Sequence, residues 1–288
     1  MYTYEVNKLP KRTTEISLKI AKADIEKERE IAFANLQKEL AVEGFRKGKV
    51  PKAIADKHLS KEAVYQGLLK SLLSRIYEEV VKKENLQPVI SPKIDLTKAK
   101  EGEDWEIKIT LAEKPIVELG AYKEAIIKIK SEQKKEDIWI PGKTQEKEKD
   151  DSEKKQRHLN NVLTTLLKEV KCEIPDLIVE EELDRRLTQL VDDVRKIGLT
   201  VESYLKSKNL TIDELKARYK KEIEDTYKLE FVLMEVADKE NIKVEKAEID
   251  KLFANIKSET EKKAAEQNAY YYASILRKQK TLDFLVAL

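Results

Sequence analysis

The sequence predicts an elongated two-part chain: an α+β N-terminal domain followed by an all-helical C-terminal region, with no third domain inserted between them. Three observations carry this. The 288 residues suit about two domains. Charged residues reach 39%, while glycine and proline number 7 each, a balance that favours helices with much surface over β-sandwiches or glycine-rich nucleotide folds. Strand-like alternation is confined to the first 120 or so residues, and helical periodicity dominates from about residue 157.

The elements follow in order. Tyr2, Tyr4 and Val6 alternate, a turn is expected at Leu9-Pro10-Lys11, and Ile16, Leu18 and Ile20 alternate again, which reads as two strands. Ala21, Ile25, Ala32, Leu36 and Leu40 keep to one face of a helix over about 22–40. A glycine-bearing loop interrupts at 43–52. The stripe Val64, Leu68, Leu72, Ile76 and Val80 marks a long helix over about 60–84. Strands are expected over Val89–Leu96, Trp105–Leu111 and Ile116–Leu119, closing a domain near residue 120. Ile127 and Ile129 alternate, so Tyr122–Lys130 reads as an extended arm.

Residues 131–157 hold eight basic and eight acidic residues, with Pro141-Gly142 inside and no period. The arm and this charged linker thus span 121–157. Ile138, Trp139 and Ile140 are its apolar residues, either a small docking motif or part of a solvated tether. Beyond it, stripes at Leu159–Val170 and Leu183–Val194, a stop at Gly198, a capping box of Thr211 with Glu214, a helix from near Val244 and a last one from about 264 fill a helical region over 158–288.

Several chemistries are excluded. No run approaches 18 apolar residues, and Met1–Pro10 lacks the apolar stretch of a signal peptide. Cys172 is alone and reads as a small packing residue, consistent with a reducing cytoplasm. The sequon Asn209-Leu210-Thr211 is then coincidental. His58 and His158 stand in no metal-ligand spacing, and Glu180–Glu182 fit a helix start better than a catalytic cluster. The 57 basic and 55 acidic residues leave +2, so any contact with nucleic acid must be local. Gly44-Phe45-Arg46-Lys47-Gly48-Lys49 resembles a phosphate loop only superficially. It is one residue short, and Val50 occupies the position of the magnesium-binding hydroxyl. No nucleotide, metal or other cofactor is expected, and no nucleophile–base pair points to an enzyme.

The 43–52 loop is the informative segment. Arg46, Lys47, Lys49 and Lys52 crowd it against one acid, Glu43. Two glycines permit a sharp excursion, and Phe45 falls at the apex. Spacing alone leaves two readings, a solvated loop or a surface for a partner combining phosphate with protein. Gly44-Phe45-Arg46-Lys47-Gly48-Lys49-Val50-Pro51 resembles the ribosome-docking signature of the trigger factor family, G-F-R-x-G-K-x-P, at every specified position. Glu113–Leu119 is similar to the end of that family's docking domain. Ile174–Val179 and Lys280–Leu285 are similar to segments opening and closing its C-terminal domain.

The resemblance implies an ATP-independent chaperone that docks beside the ribosomal tunnel exit and shelters nascent or unfolded polypeptides. Gly44, Phe45, Arg46, Lys47, Gly48, Lys49 and Pro51 would touch ribosomal protein and rRNA. The family's peptidyl-prolyl isomerase domain of roughly 100 residues has no room between docking and C-terminal parts. The form implied therefore lacks that domain and its activity. A cytoplasmic location, no membrane partner and a homodimer as a form off the ribosome complete the expectation. An rRNA-binding assembly factor without holdase activity is the alternative. Tyr219, Tyr227, Phe253, Ile256, Tyr270, Tyr271 and Tyr272 are the candidate client contacts on the helical part. Each could equally pack helix on helix, but three consecutive tyrosines span about 200° of a helix, so at least one should face outward.

Overall fold

A computed structural model describes residues 2–100, 102–136, 147–254 and 258–288. The chain divides into two compact units, Met1–Lys114 with Pro175–Ile178 and Pro115–Ile174 with Val179–Leu288. Ile138, Trp139, Ile140 and Ile256 lie outside the described residues.

Unit 1 holds strands β1 (Tyr2–Leu9) and β2 (Thr13–Ile20), helices α1 (Lys22–Glu39), α2 (Lys52–His58) and α3 (Lys61–Lys83), then β3 (Lys93–Lys98) and β4 (Trp105–Ala112). The four strands form an antiparallel sheet in the order β1-β2-β4-β3. Ile16, Leu18 and Ile20 of β2 and Trp105, Ile107, Ile109 and Leu111 of β4 alternate onto one face. There they meet Leu68, Leu72, Ile76 and Val80 of α3. At Gly67 α3 lies against α1, where a methyl group would make ordinary contact with Leu36 and Ala32. Two expectations shift. Strand β3 begins at Lys93 rather than Val89, because Pro92 has no N–H to give a ladder; Val89 instead donates to the Ala112 carbonyl at 2.9 Å. Lys11 and Arg12 both turn through positive φ, at 53° and 54°, and the hairpin closes with Thr13 donating to Pro10.

Unit 2 opens with β5 (Val117–Glu118) and continues through α4 (Tyr122–Glu136), α5 (Lys147–Glu169) and β6 (Lys171–Cys172). Then come α6 (Asp176–Lys196), α7 (Val201–Ser207), α8 (Ile212–Lys239), α9 (Lys246–Ala254), α10 (Glu259–Gln267) and α11 (Ala269–Ala287). The largest correction to the sequence reading is α4. Tyr122–Lys130 is helical, not an extended arm, and helix α5 already starts inside the segment expected as linker. Leu119, Tyr122 and Ile126, three and four apart, are all buried, so helical period prevails over the alternation of Ile127 and Ile129. They share a core with Val162 and Leu166 of α5, Val170 just beyond its end, Val232, Leu233 and Val236 of α8, and Leu285 of α11. Short β5 pairs with β6, Val117 opposite Cys172, a strand that the helical periodicity of this region concealed. Likewise α7, capped by Thr200 accepting from the Ser203 N–H, is too short to show a period. Asn268 separates α10 from α11, where one helix was expected. The Thr211–Glu214 capping box forms as read.

A polar clamp closes the core. The Tyr122 hydroxyl and the Lys123 ammonium both donate to Glu240 at the end of α8, at 2.8 Å each. These bonds hold the Glu240 carboxyl below its ordinary value. A depressed carboxylate stabilises the fold above its unfolded pKa and loses that contribution as pH falls through its folded one. Unit 2 should therefore weaken as pH falls through and below the ordinary glutamate range, and Glu240→Gln should flatten that dependence in urea titrations followed by circular dichroism. A Glu240→Gln profile as steep as wild type would place the acid sensitivity elsewhere.

Candidate functional site: the loop between α1 and α2

The loop is built from two consecutive turns on a fixed base. α1 ends where Leu40 becomes extended, its N–H still bonded to the Leu36 and Gln37 carbonyls. Phe45 then donates to Val42 at 3.0 Å and Lys49 to Arg46 at 2.9 Å. Each turn has glycine in its third position, Gly44 at φ +86° and Gly48 at φ +79°, the left-handed backbone that a type II turn requires there. Val50 is buried, and its carbonyl accepts from the Gln37 side chain at 2.6 Å. Pro51 caps α2 at φ −60°. Gln37 went unremarked in the sequence, and Val50 was noted only for lacking a hydroxyl, because neither carries charge. An apolar residue directly before a proline at the close of a polar loop is the signal that could have found the anchor.

What this base presents is exposed. Phe45 keeps 40% of its surface, and Arg46, Lys47 and Lys49 face solvent beside it. Among the described residues no carboxylate lies within ion-pairing distance of those three cations. Lys52 stands apart from them, its ammonium 5.9 Å from the Phe33 ring on α1. All seven residues read as docking contacts thus fall on one short excursion. The tip holds an aromatic ring and three cations, and the glycines and proline shape the turns around it.

The glycines differ in a way that can be tested. A Cβ on Gly48 would stand 2.9 Å from the Lys38 carbonyl oxygen, whereas one on Gly44 meets nothing within 4 Å. Both alanine variants carry the left-handed backbone cost of about 1 kcal/mol, and only Gly48→Ala adds a backbone clash. Gly48→Ala should weaken any loop-dependent binding more than Gly44→Ala. Equal losses would mean that the turn relaxes freely.

The helical candidates divide. Tyr270 is 90% exposed at the start of α11, with Tyr271 exposed beside it. Tyr219 and Tyr227 on α8 are half-buried. Phe253 is corrected: at 4% exposure it packs α9 on α11, its ring edge-on to Tyr272 at 5.3 Å. Both belong to that packing rather than to an open surface. Sequence reasoning missed Ile197, 67% exposed, and Leu199 at the turn ending α6, together with Ile212 at the first position of α8. Isolated apolar residues flanking a glycine stop have no periodicity to reveal them.

The remaining chemistry is structural. Glu182 is taken by Arg185 and Arg186, burial pushes the Cys172 thiol up, and the His158 ring lies 3.2 Å from the Val286 carbonyl. Among the described residues no cluster of three His, Cys, Asp or Glu could hold a metal, and no helix is long and apolar enough to cross a membrane.

The sequence profile described as "Bacterial trigger factor protein (TF)" matches residues 2–139, and that of "Bacterial trigger factor protein (TF) C-terminus" matches residues 141–287. The chain belongs to the trigger factor family. Its two matches leave only residue 140 between them, so no isomerase domain is inserted between the N-terminal and C-terminal parts of this trigger factor family member. Trigger factor of Streptococcus pneumoniae (strain Hungary19A-6) is 34% identical over 164 residues, 57% of this chain and 36% of that protein. The same figures hold for trigger factor of Streptococcus pneumoniae serotype 2 (strain D39 / NCTC 7466). The chain thus matches about a third of the length of these curated relatives. A solved structure described as "Promiscuous Substrate Recognition in Folding and Assembly Activities of the Trigger Factor Chaperone" covers 98% of this chain and 99% of its own. Its TM-score is 0.61 at 15% identity, so it shares the fold.

Proposed function

We propose that this chain is an ATP-independent chaperone of the cytoplasm that docks beside the ribosomal tunnel exit and shields nascent or unfolded polypeptides. The observation that carries the reading is the α1–α2 loop, where an exposed Phe45 and three exposed cations sit on a base held by Gln37 and Val50. A ring can enter an apolar pocket on a ribosomal protein while the cations meet acids and rRNA phosphate. Docking is assigned to residues 1–120 and client binding to 158–288, with 121–157 joining them. Tyr270, Tyr271, Tyr219 and Tyr227 supply client contacts, since tyrosine offers broad area with few rotors and tolerates water. Weak apolar contacts of this kind release a client without fuel.

Ribosome co-sedimentation and suppression of client aggregation test the two halves separately. Binding without suppression would favour an rRNA-binding assembly factor. With no isomerase domain between its two parts, the chain should not accelerate isomerisation of a proline-containing peptide. Turnover above background that a point mutation in this chain abolishes would overturn the non-enzymatic reading.

A further inference from the structure

Both outer strands of the unit 1 sheet have an open edge, and that of β3 lies beside an apolar groove. Among the described residues strand β3 pairs with β4 alone. Its register sets Ile94 opposite Ile109 and Leu96 opposite Ile107. Those partners are core residues, so Ile94 and Leu96 share the helix-facing side of the sheet, yet they stay 40% and 42% exposed. Coverage is the cause: the helix layer stops short of β3. Between α3 and β3 runs a groove of about 590 Å³, with Leu69, Leu73 and Tyr77 on the helix side and Ile94 and Leu96 on the strand side. At the opposite edge, Tyr2 and Tyr4 of β1 reach Glu79 and Glu84 at 2.6 and 2.7 Å, so side chains bridge the outermost strand and the helix there.

We infer that β3 and this groove bind an extended segment of an unfolded polypeptide, which adds to the sheet as a fifth strand and seats alternate apolar side chains against Leu69, Leu73 and Tyr77. The inference rests on the chaperone reading and gives it a second client surface, on the docking unit. An open strand edge offers main-chain donors and acceptors that only an extended chain can meet, because a helix has spent its own internally. The groove beside it takes every second side chain of such a strand. Among the described residues lining the groove Lys70 is the only charged one, which favours apolar segments carrying acid over basic ones. A second copy of β3 fits poorly. In the full antiparallel register Lys93 would stand opposite Lys98 at both ends, a like-charge pairing. Those terminal lysines, and the register shift between Leu96 and Lys98, restrict pairing to a short stretch. Short pairing is weak pairing, as release requires.

The test uses the full chain and a fluorescein-labelled nine-residue peptide alternating valine with threonine and glutamate. Two analogues carry N-methyl groups on one or the other set of alternate residues. At least one analogue should bind about tenfold more weakly, the weight of one or two main-chain hydrogen bonds. Leu96→Lys should weaken the parent peptide by about tenfold or more with an unchanged circular dichroism spectrum, and the milder Ile94→Thr by severalfold. Equal affinity for all three peptides, or full binding by both variants, would overturn the inference. So would a dimer that Leu96→Lys dissociates in the absence of peptide binding, which would give the edge to a second copy. Aggregation suppression separates this from the function it rests on. A chain that suppresses aggregation but binds no peptide at β3 keeps the chaperone reading and loses the strand site. A chain that binds the peptide with the expected N-methyl sensitivity and suppresses nothing keeps the site and loses the chaperone reading.

Discussion

Replacing Phe45, Arg46 and Lys47 together by alanine is expected to abolish stable ribosome association while leaving the fold intact. Truncating a central aromatic or arginine anchor commonly costs about 2 kcal/mol, roughly thirtyfold in affinity, and three adjacent contacts are removed at once. The fold should not respond. The three side chains are exposed on a loop whose base is held by Val50 and the Gln37 hydrogen bond, and surface changes usually stay within about 0.5 kcal/mol. Wild-type binding should also weaken as salt rises, because cations meeting phosphate release counterions. Co-sedimentation across a salt series, with circular dichroism of the variant, reads both effects. Undiminished binding by a well-folded triple variant would remove the loop as the docking site.

The largest stability effect is expected at Trp105. Its indole is 1% exposed, donates to the Lys100 carbonyl at 3.2 Å and meets the Tyr65 ring edge-on at 5.4 Å. Trp105→Ala removes the largest fully buried side chain of unit 1 and should cost about 3–5 kcal/mol. Against a typical stability of about 5–15 kcal/mol, that leaves unit 1 marginal. The two units have separate cores, so the loss should fall on residues 1–114. Limited proteolysis with mass spectrometry should show early cleavage there while the helical fragment persists. Ribosome binding should fall with it, although Trp105 is not in the loop. Simultaneous loss of both units would mean that their stabilities are coupled.

The loop between α1 and α2 was legible because its signal is local. Two glycines, a proline and a run of cations specify turns and charge within eight residues, and no distant partner is needed to recognise them. The long stripes of α3 and α8 were equally plain, since burial along one helix face repeats every three to four residues whatever lies opposite. The antiparallel strands β1, β2 and β4 followed from their period of two. Short elements were not legible: β6 and α7 contain too few residues to show any period. In α4 two periods competed, Ile127 and Ile129 suggesting a strand, Tyr122 and Ile126 a helix. Only the core formed by α5, α8 and α11 decided between them, by burying Tyr122 and Ile126 and leaving Ile127 outside.

The sequence by itself therefore determined the class of the fold, the position of the glycine-bearing loop with its aromatic and cationic tip, and the lack of space for an inserted domain. All three depend on composition, spacing or length. Which apolar residues remain open was settled by tertiary structure alone. Phe253 and Tyr270 look alike in sequence, yet Phe253 is covered because Tyr272 closes over it, and Tyr270 is bare because no helix packs on its side of α11 among the described residues. Ile94 and Leu96 carry the same strand alternation as the buried positions of β2, and they stay half-open because the helix layer ends before it reaches β3. Exposure is a property of what lies opposite a side chain, and a sequence records the side chain but not its opposite.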